Sequence, residues 1–303
     1  GGILNDPVLL RLTEDEFWFS LSDTDLMLWL QGVNVSKKYN VSIDEIDVCP
    51  VQIQGPLSED LMAKLAGEEL REIPFYGLME TKIKGVDTVI SQTGFTGEKG
   101  YEIYVRDAHQ NAEIVWNSVL EAGEEFGLQV VAPAHHRRIA AGILSWGQDM
   151  DFETSPFQVN LYYQVPRNKE ADYIGKEELE RQRAVIDGGD FPFKMRMVGL
   201  IFGGKQITDY APDFWLIADT DGNDMGYITS PWWSPELDTN IALGWVPWTS
   251  SEIGTKLQVR LPDEYSESPG VPAEGEIVDV PFRESVNPNK REVQKAKGLD
   301  YAD

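Results

Sequence analysis

The sequence is short of several things, and each shortage closes off a kind of chemistry. A single cysteine, Cys49, rules out an internal disulfide and fits a reducing cytoplasm. Three histidines and that thiol offer no metal-ligand spacing, since His135 and His136 are sequence neighbours. No GxSxG elbow or other nucleophile motif occurs, and Gly203-Gly204-Lys205 lacks the earlier glycine and following Ser/Thr of a phosphate loop. The apolar runs fall far short of a membrane span and the first residues do not read as a charged-then-apolar leader, so a soluble, cytoplasmic chain is expected. Basic side chains are also scarce. There are 26 against 51 acidic ones, a net charge of −25, and no basic stripe offsets it, so the surface repels nucleic acid.

What is present is an ordinary globular composition. With 303 residues, 42% hydrophobic and 11% aromatic, the chain can bury a large core and should form two or more domains.

The most informative stretch is SQTGFTGEKGYEIYV, residues 91–105. Gly94, Gly97 and Gly100 permit positive φ and close backbone approach, so the loop can fold flat against a ligand or another segment. An alternating strand follows, with Tyr101, Ile103 and Val105 on one face and Glu102 with Tyr104 on the other. A carboxylate beside a ring at the mouth of such a loop suits a planar ligand edge with two adjacent N–H donors, because its two oxygens can accept both. The pattern also reads as a plain hairpin with the turn TGEKG and a solvated glutamate. The residues alone leave both readings open.

Around this stretch the chain alternates strands and helices. Residues 1–12 read as a turn leading into a strand with Val8, Leu10 and Leu12 on one face, and residues 17–21 as a second strand. Ser22 or Asp23 is placed to cap a helix carrying Leu26, Trp29 and Leu30 inward. Residues 48–54 form a strand in which Cys49 reads as a small buried residue, and Ser58 caps a helix burying Leu61, Met62 and Leu65. Short strands are expected over 75–80, 81–84 and 88–91. Asp107 caps a helix whose Val115, Val119, Ala122 and Phe126 form a buried stripe stopped at Gly127.

Pro133 opens a further helix expected to run to about Trp146. On it Arg138 has Ala134 and Gly142 four residues to either side, leaving its guanidinium free to reach into a cavity. His135 shares the face of Ile139 and reads as a satisfied core or boundary histidine. A shift in composition at residues 188–192 marks a boundary. Beyond it, alternating segments at 196–202, 214–218, 225–229, 241–246, 256–261 and 276–280 predict an antiparallel barrel or sandwich, with Asp221-Gly222 as a hairpin turn and Trp232 and Trp233 packed at an edge. Residues 283–303 carry five basic and four acidic side chains, and are expected to form an arm on the acidic body or on a neighbouring subunit.

Several of these motifs together resemble the glycine-cleavage T-protein family. TGFTGEKGYE is similar to its folate-binding signature, and GGILNDPV, FWFSLSDTDLMLWLQG, IQGP at 53–56, LSWGQDMD at 144–151 and YIGKEEL at 173–179 fall in the family's order. FWFSLSDTDLMLWLQG and LSWGQDMD look most like the dimethylsulfoniopropionate demethylase branch. The similarity runs from residue 1 to about Phe282. It implies an α+β fold, with a folate-binding region over 1–190 that lacks an N-terminal part, a C-terminal antiparallel β-barrel over 191–282 and an extended tail over 283–303. It implies tetrahydrofolate as cofactor, with Glu102 holding the pterin ring and Asp6 the catalytic carboxylate beside the reactive nitrogens. Arg138, Tyr101, Phe95 and Gln158 are the further expected folate contacts. Taken alone, Asp6 in Asn5-Asp6-Pro7 is a turn aspartate biased toward extended geometry by the proline. Two departures weaken the expected polar lining: Gln92 stands where many members have arginine, and Gln158 where many have glutamate.

The remaining chemistry needs neither metal nor covalent catalysis. A methyl on a sulfonium or ammonium centre can pass in line to a nucleophilic nitrogen of tetrahydrofolate while the protein aligns donor and acceptor. A carboxylate such as Asp6 stabilises the charge that develops on that nitrogen. The expectation is a folate-dependent methyltransferase or demethylase of small molecules. One alternative is an aminomethyltransferase of glycine-cleavage type, whose lipoyl carrier is itself usually acidic and would be repelled by a body at −25; another is a folate-binding module without turnover. A cationic donor calls for aromatic faces. Phe95, Tyr104, Trp146 and Tyr162 are the candidates, with at least two expected to converge beside the folate nitrogen, and the demethylase branch often has tryptophan where Phe95 stands.

Overall fold

The computed structural model describes residues 1–21, 24–132, 135–167 and 169–283, which divide into two compact units: residues 7–132, and residues 1–6 together with 135–283. The caps expected at Ser22 or Asp23, the helix start at Pro133 and the arm beyond Arg283 lie outside the described residues.

The first unit opens on an antiparallel ribbon of β1 (Val8–Arg11) and β2 (Phe17–Ser20). Helix α1 (Met27–Lys37) follows, begun by Asp25, whose Oδ1 accepts from Met27 N–H at 2.7 Å. The expected inward stripe is shallow: Leu26 is buried and Trp29 and Leu30 are half-buried, while no residue of α1 itself is fully buried. Next come β3 (Val48–Gln54), α2 (Ser58–Ala66), β4 (Leu78–Ile83), β5 (Val86–Ser91), β6 (Gly100–Arg106) and α3 (Ala108–Gly123). The four strands form one antiparallel sheet in the order β3-β6-β5-β4.

Between residues 75 and 91 there are two strands where three were expected. The segments expected at 75–80 and 81–84 are one continuous strand, β4, paired with β5 through a two-residue hairpin at Lys84 and Gly85, both at positive φ. Ser58 is not a cap but the first helical residue of α2, and its Oγ donates to Lys99 O at 2.9 Å. Asp107 does stand at the N-cap of α3, in left-handed geometry and without a side-chain cap bond. Val115 and Val119 of α3 pack with Leu61 and Met62 of α2 against one face of the sheet, while Leu10 and Trp18 of the ribbon cover the other beside Val89 and Tyr104. Cys49, expected to be buried, is exposed, because it lies near the end of the edge strand β3.

In the second unit, α4 spans only His135–Ala140 and α5 spans Lys176–Asp187. The helix expected to reach Trp146 stops at Ala140, and the chain turns at Gly142, φ 67°. A closed antiparallel barrel follows, made of β7 (Met195–Phe202), β8 (Trp215–Ala218), β9 (Asp224–Ser234), β10 (Thr239–Pro247), β11 (Lys256–Val259) and β12 (Ala273–Val278), in the order β10-β7-β12-β11-β8-β9. The near-continuous apolar run of β10 has a packing cause. Ala242 and Val246 point to one cluster with Leu200 and Ile217, whereas Ile241, Leu243 and Trp245 pack with Ile139, Leu144 and Met150 of the segment outside the barrel. Both faces of that strand are therefore buried, and polar alternation would have left one of them unsatisfied.

Candidate functional site

Alternation along β6 sorts its side chains as the period of two requires: Tyr101, Ile103 and Val105 join the core under α2 and α3, and Tyr104 joins the core under the ribbon. Glu102, on the face of Tyr104, is 5% exposed. Its Oε1 accepts from Gln52 Nε2 at 2.6 Å, and its Oε2 accepts from Thr93 Oγ1 and from Tyr104 OH at 3.0 Å. All three donors are neutral, and among the described residues Glu102 has no ion pair. A buried carboxylate with neutral partners and no cation beside it favours a ligand that brings N–H donors or positive charge to it. Burial, reinforced by the charge of Glu102, pushes the Tyr104 phenol well above its usual range, so it stays a donor.

The glycine loop is built around a neighbour that the sequence reading did not single out. The amide of Gln54 donates to Thr93 O at 3.1 Å and accepts from Thr96 Oγ1 at 2.8 Å. It occupies the space where a Cβ at Gly94 or Gly100 would stand. Only Gly97 of the three has positive φ, +72°, so two of the three glycines serve close approach rather than turning. The loop is further fastened to α2 by Lys99, which ion-pairs with Glu59 and whose carbonyl accepts from Ser58 Oγ and Gly55 N–H. Phe95 is half-buried in this loop. Tyr101 is fully buried, with its hydroxyl donating to Glu59 Oε2 at 3.4 Å and accepting from Gln92 at 3.5 Å. Burial first, then the charge of Glu59, pushes its phenol up to about 12. It faces the core, on the opposite side of β6 from Glu102, and Gln92 is turned to it.

In the second unit Arg138 is fully buried, and this corrects the expectation of a guanidinium free to enter a cavity. Nε donates to His135 Nδ1, Nη1 to Ile143 O and Asp149 Oδ2, and Nη2 to Gln148 Oε1 and Ser230 Oγ. The cause is the early end of α4, which lets residues 143–149 fold back over the guanidinium and supply three acceptors, with His135 and Ser230 taking the remaining N–H groups of the fork. Gln158, expected to line a pocket, instead ties its loop to β7 by accepting from Ser155 N–H at 3.0 Å and donating to Met195 O at 3.2 Å. Trp146 packs in the cluster outside the barrel and donates from Nε1 to Ile3 O at 2.9 Å. Tyr162 packs in a different cluster, 5.4 Å from the Phe157 ring. These two rings do not converge; each lies half-buried against a separate core cluster. Asp6 is exposed, three residues beyond Ile3, whose N–H donates to Thr154 O at 2.9 Å.

Gln52, Gln54 and Thr93 were missed. Period-two alternation over residues 48–54 could have placed Gln52 on a polar face, but only strand register shows which residue it meets.

The chain matches the GCVT N-terminal domain over residues 1–169 and the glycine cleavage T-protein C-terminal barrel domain over residues 196–282. It is 33% identical over 272 residues to the dimethylsulfoniopropionate demethylase DmdA of Ruegeria pomeroyi, covering 87% of this chain and 69% of that protein. It is 29% identical over 270 residues to an aminomethyltransferase of Clostridium botulinum strain Loch Maree, covering 86% of this chain and 69% of that one. The fold is that of the crystal structure of the glycine cleavage system aminomethyltransferase T from Bartonella henselae, with a TM-score of 0.75 at 23% identity over 94% of this chain and 73% of that chain. With both of its domains matched and 33% of the aligned residues shared with one member, the chain belongs to the glycine cleavage T-protein family.

Proposed function

We propose that this protein transfers a methyl group from a small onium donor, a sulfonium or quaternary ammonium compound, to tetrahydrofolate. Its family membership makes it a folate-dependent one-carbon transferase; the methyl group and the donor class are the proposal. The observation that carries the folate reading is Glu102, a buried carboxylate with neutral partners and acceptor capacity left on Oε1 beside a fastened glycine loop. That chemistry fits the N–H edge of a pterin. Tetrahydrofolate, when bound, supplies the nucleophilic nitrogen. Glu102 binds and orients, the loop around Gln54 holds the approach rigid, and Asp6 is proposed to offset the positive charge that appears on the nitrogen as the carbon–sulfur or carbon–nitrogen bond of the donor breaks, before that nitrogen releases its proton.

The methyl reading is supported by the 33% identity to a demethylase and by a net charge of −25, which opposes docking of an acidic carrier. Similarity to aminomethyltransferases near 29% identity keeps aminomethyl transfer from a lipoyl carrier as the second reading. The test has two arms. Glu102→Gln exchanges an acceptor oxygen for a donor and should weaken tetrahydrofolate binding by about 1.5–3 kcal/mol, measured by calorimetry; unchanged affinity moves the site elsewhere. A donor screen with tetrahydrofolate, read by mass, should yield methylated folate from an onium compound. Product only with a lipoyl carrier would establish the second reading.

A further inference from the structure

We infer that Gln52 is a second recognition residue beside Glu102, supplying the acceptor for one of two adjacent N–H groups on a planar heterocycle. The inference rests on the reading of Glu102 as the acceptor of the pterin edge. Antiparallel register places Gln52 of β3 directly opposite Glu102 of β6, so both side chains project from the same face. An ionised carboxylate can only accept, so the Gln52 amide must turn its nitrogen toward Glu102, consistent with the 2.6 Å separation of Nε2 and Oε1. Its oxygen consequently points away. That oxygen accepts no hydrogen bond among the described residues, and Gln52 is exposed where Glu102 is buried.

The two oxygens of Glu102 are not equivalent. Oε2 already accepts from both Thr93 and Tyr104, whereas Oε1 accepts from Gln52 alone. With about two lone-pair sites on each oxygen, the carboxylate has room for one further donor at Oε1 and none at Oε2. A ligand edge with two adjacent N–H groups therefore needs a second acceptor, and the Gln52 amide oxygen, on the same side chain that occupies the other position at Oε1, can supply it. The class of ligand follows: an amino-substituted heterocycle with two neighbouring N–H hydrogens, read by a carboxylate and an amide together.

The experiment is calorimetric titration of wild type, Gln52→Met and Gln52→Glu with tetrahydrofolate and with an analogue methylated on its exocyclic amine. Gln52→Met keeps the stem and removes both the acceptor and the N–H donated to Glu102. It should lower the melting temperature modestly, since Glu102 Oε1 loses its donor, weaken tetrahydrofolate binding roughly 3- to 10-fold or more, and shrink the preference for the unmethylated ligand, a readout that the lost donor alone would not move. Gln52→Glu keeps an acceptor at this position but loses the N–H donated to Glu102, so it should retain the preference for the unmethylated ligand that Gln52→Met loses. Binding within twofold of wild type for Gln52→Met, with the same ligand preference, overturns the inference while leaving the folate reading intact. No binding by wild type overturns both.

Discussion

Arg138 and Asp149 form a fully buried ion pair in which each group is also hydrogen-bonded to neutral partners. Asp149 Oδ2 accepts from Arg138 Nη1 and Ser145 N–H, both at 2.8 Å, and Oδ1 accepts from Thr229 Oγ1 at 2.6 Å and Ser230 Oγ at 2.5 Å. Removing charges from water is costly, so such a pair persists only because the whole network is satisfied. Its role is to hold the segment after α4 against β9, and a ligand could engage the guanidinium only by displacing one of these acceptors. Arg138→Lys keeps the charge but loses the planar fork. We expect it to destabilise the chain by about 1–3 kcal/mol in denaturant unfolding, the cost of buried groups left unpartnered, while leaving tetrahydrofolate affinity of the folded protein within about threefold. A large loss of affinity with stability preserved would return Arg138 to the folate site.

At the scale of elements, the site is a strand, a loop and the edge strand beside them. Neither Gly94 nor Gly100 has positive φ, so alanine there meets no backbone penalty, only the amide of Gln54. Overpacking of that kind costs about 1–3 kcal/mol. Gly100→Ala should therefore destabilise in the wild-type background and cost much less once Gln54→Ala has cleared the space. The four chains of this double-mutant cycle, compared by thermal unfolding, should show a coupling of roughly 1–2 kcal/mol. Additive effects would mean that Gln54 does not shape the loop.

Across the whole molecule, charge of one sign dominates. Surface ion pairs such as Lys82–Asp87 and Arg181–Glu178 are exposed and worth about 0–1 kcal/mol each, and salt weakens them. Salt also weakens the mutual repulsion of the 51 acidic side chains, which 26 basic ones cannot balance. Repulsion is the larger effect at a net charge of −25, so the melting temperature should rise as sodium chloride goes from about 0.02 to 0.5 M, over which the screening length falls several-fold. A steady fall would show that the surface pairs govern stability instead.

What the amino-acid sequence determined by itself is what local period controls. Alternation assigned the two faces of β6, helical spacing assigned the stripe of Val115, Val119 and Ala122 on α3, and runs of β-formers located the barrel strands. The glycine spacing marked where another segment comes close, and motif order pointed to the family. Tertiary structure alone decided how each polar group is satisfied. Glu102 meets Gln52 across 50 residues of chain, Gln54 meets Thr96 across 42, and Arg138 meets Ser230 across 92. Arg138 looked free because its helical neighbours are small, yet what covers it comes from a turn after the helix and from a barrel strand. Cys49 looked buried because its strand is apolar, yet edge position left it exposed. A period states which way a side chain points; what it meets there depends on residues brought near only by the packing of distant elements.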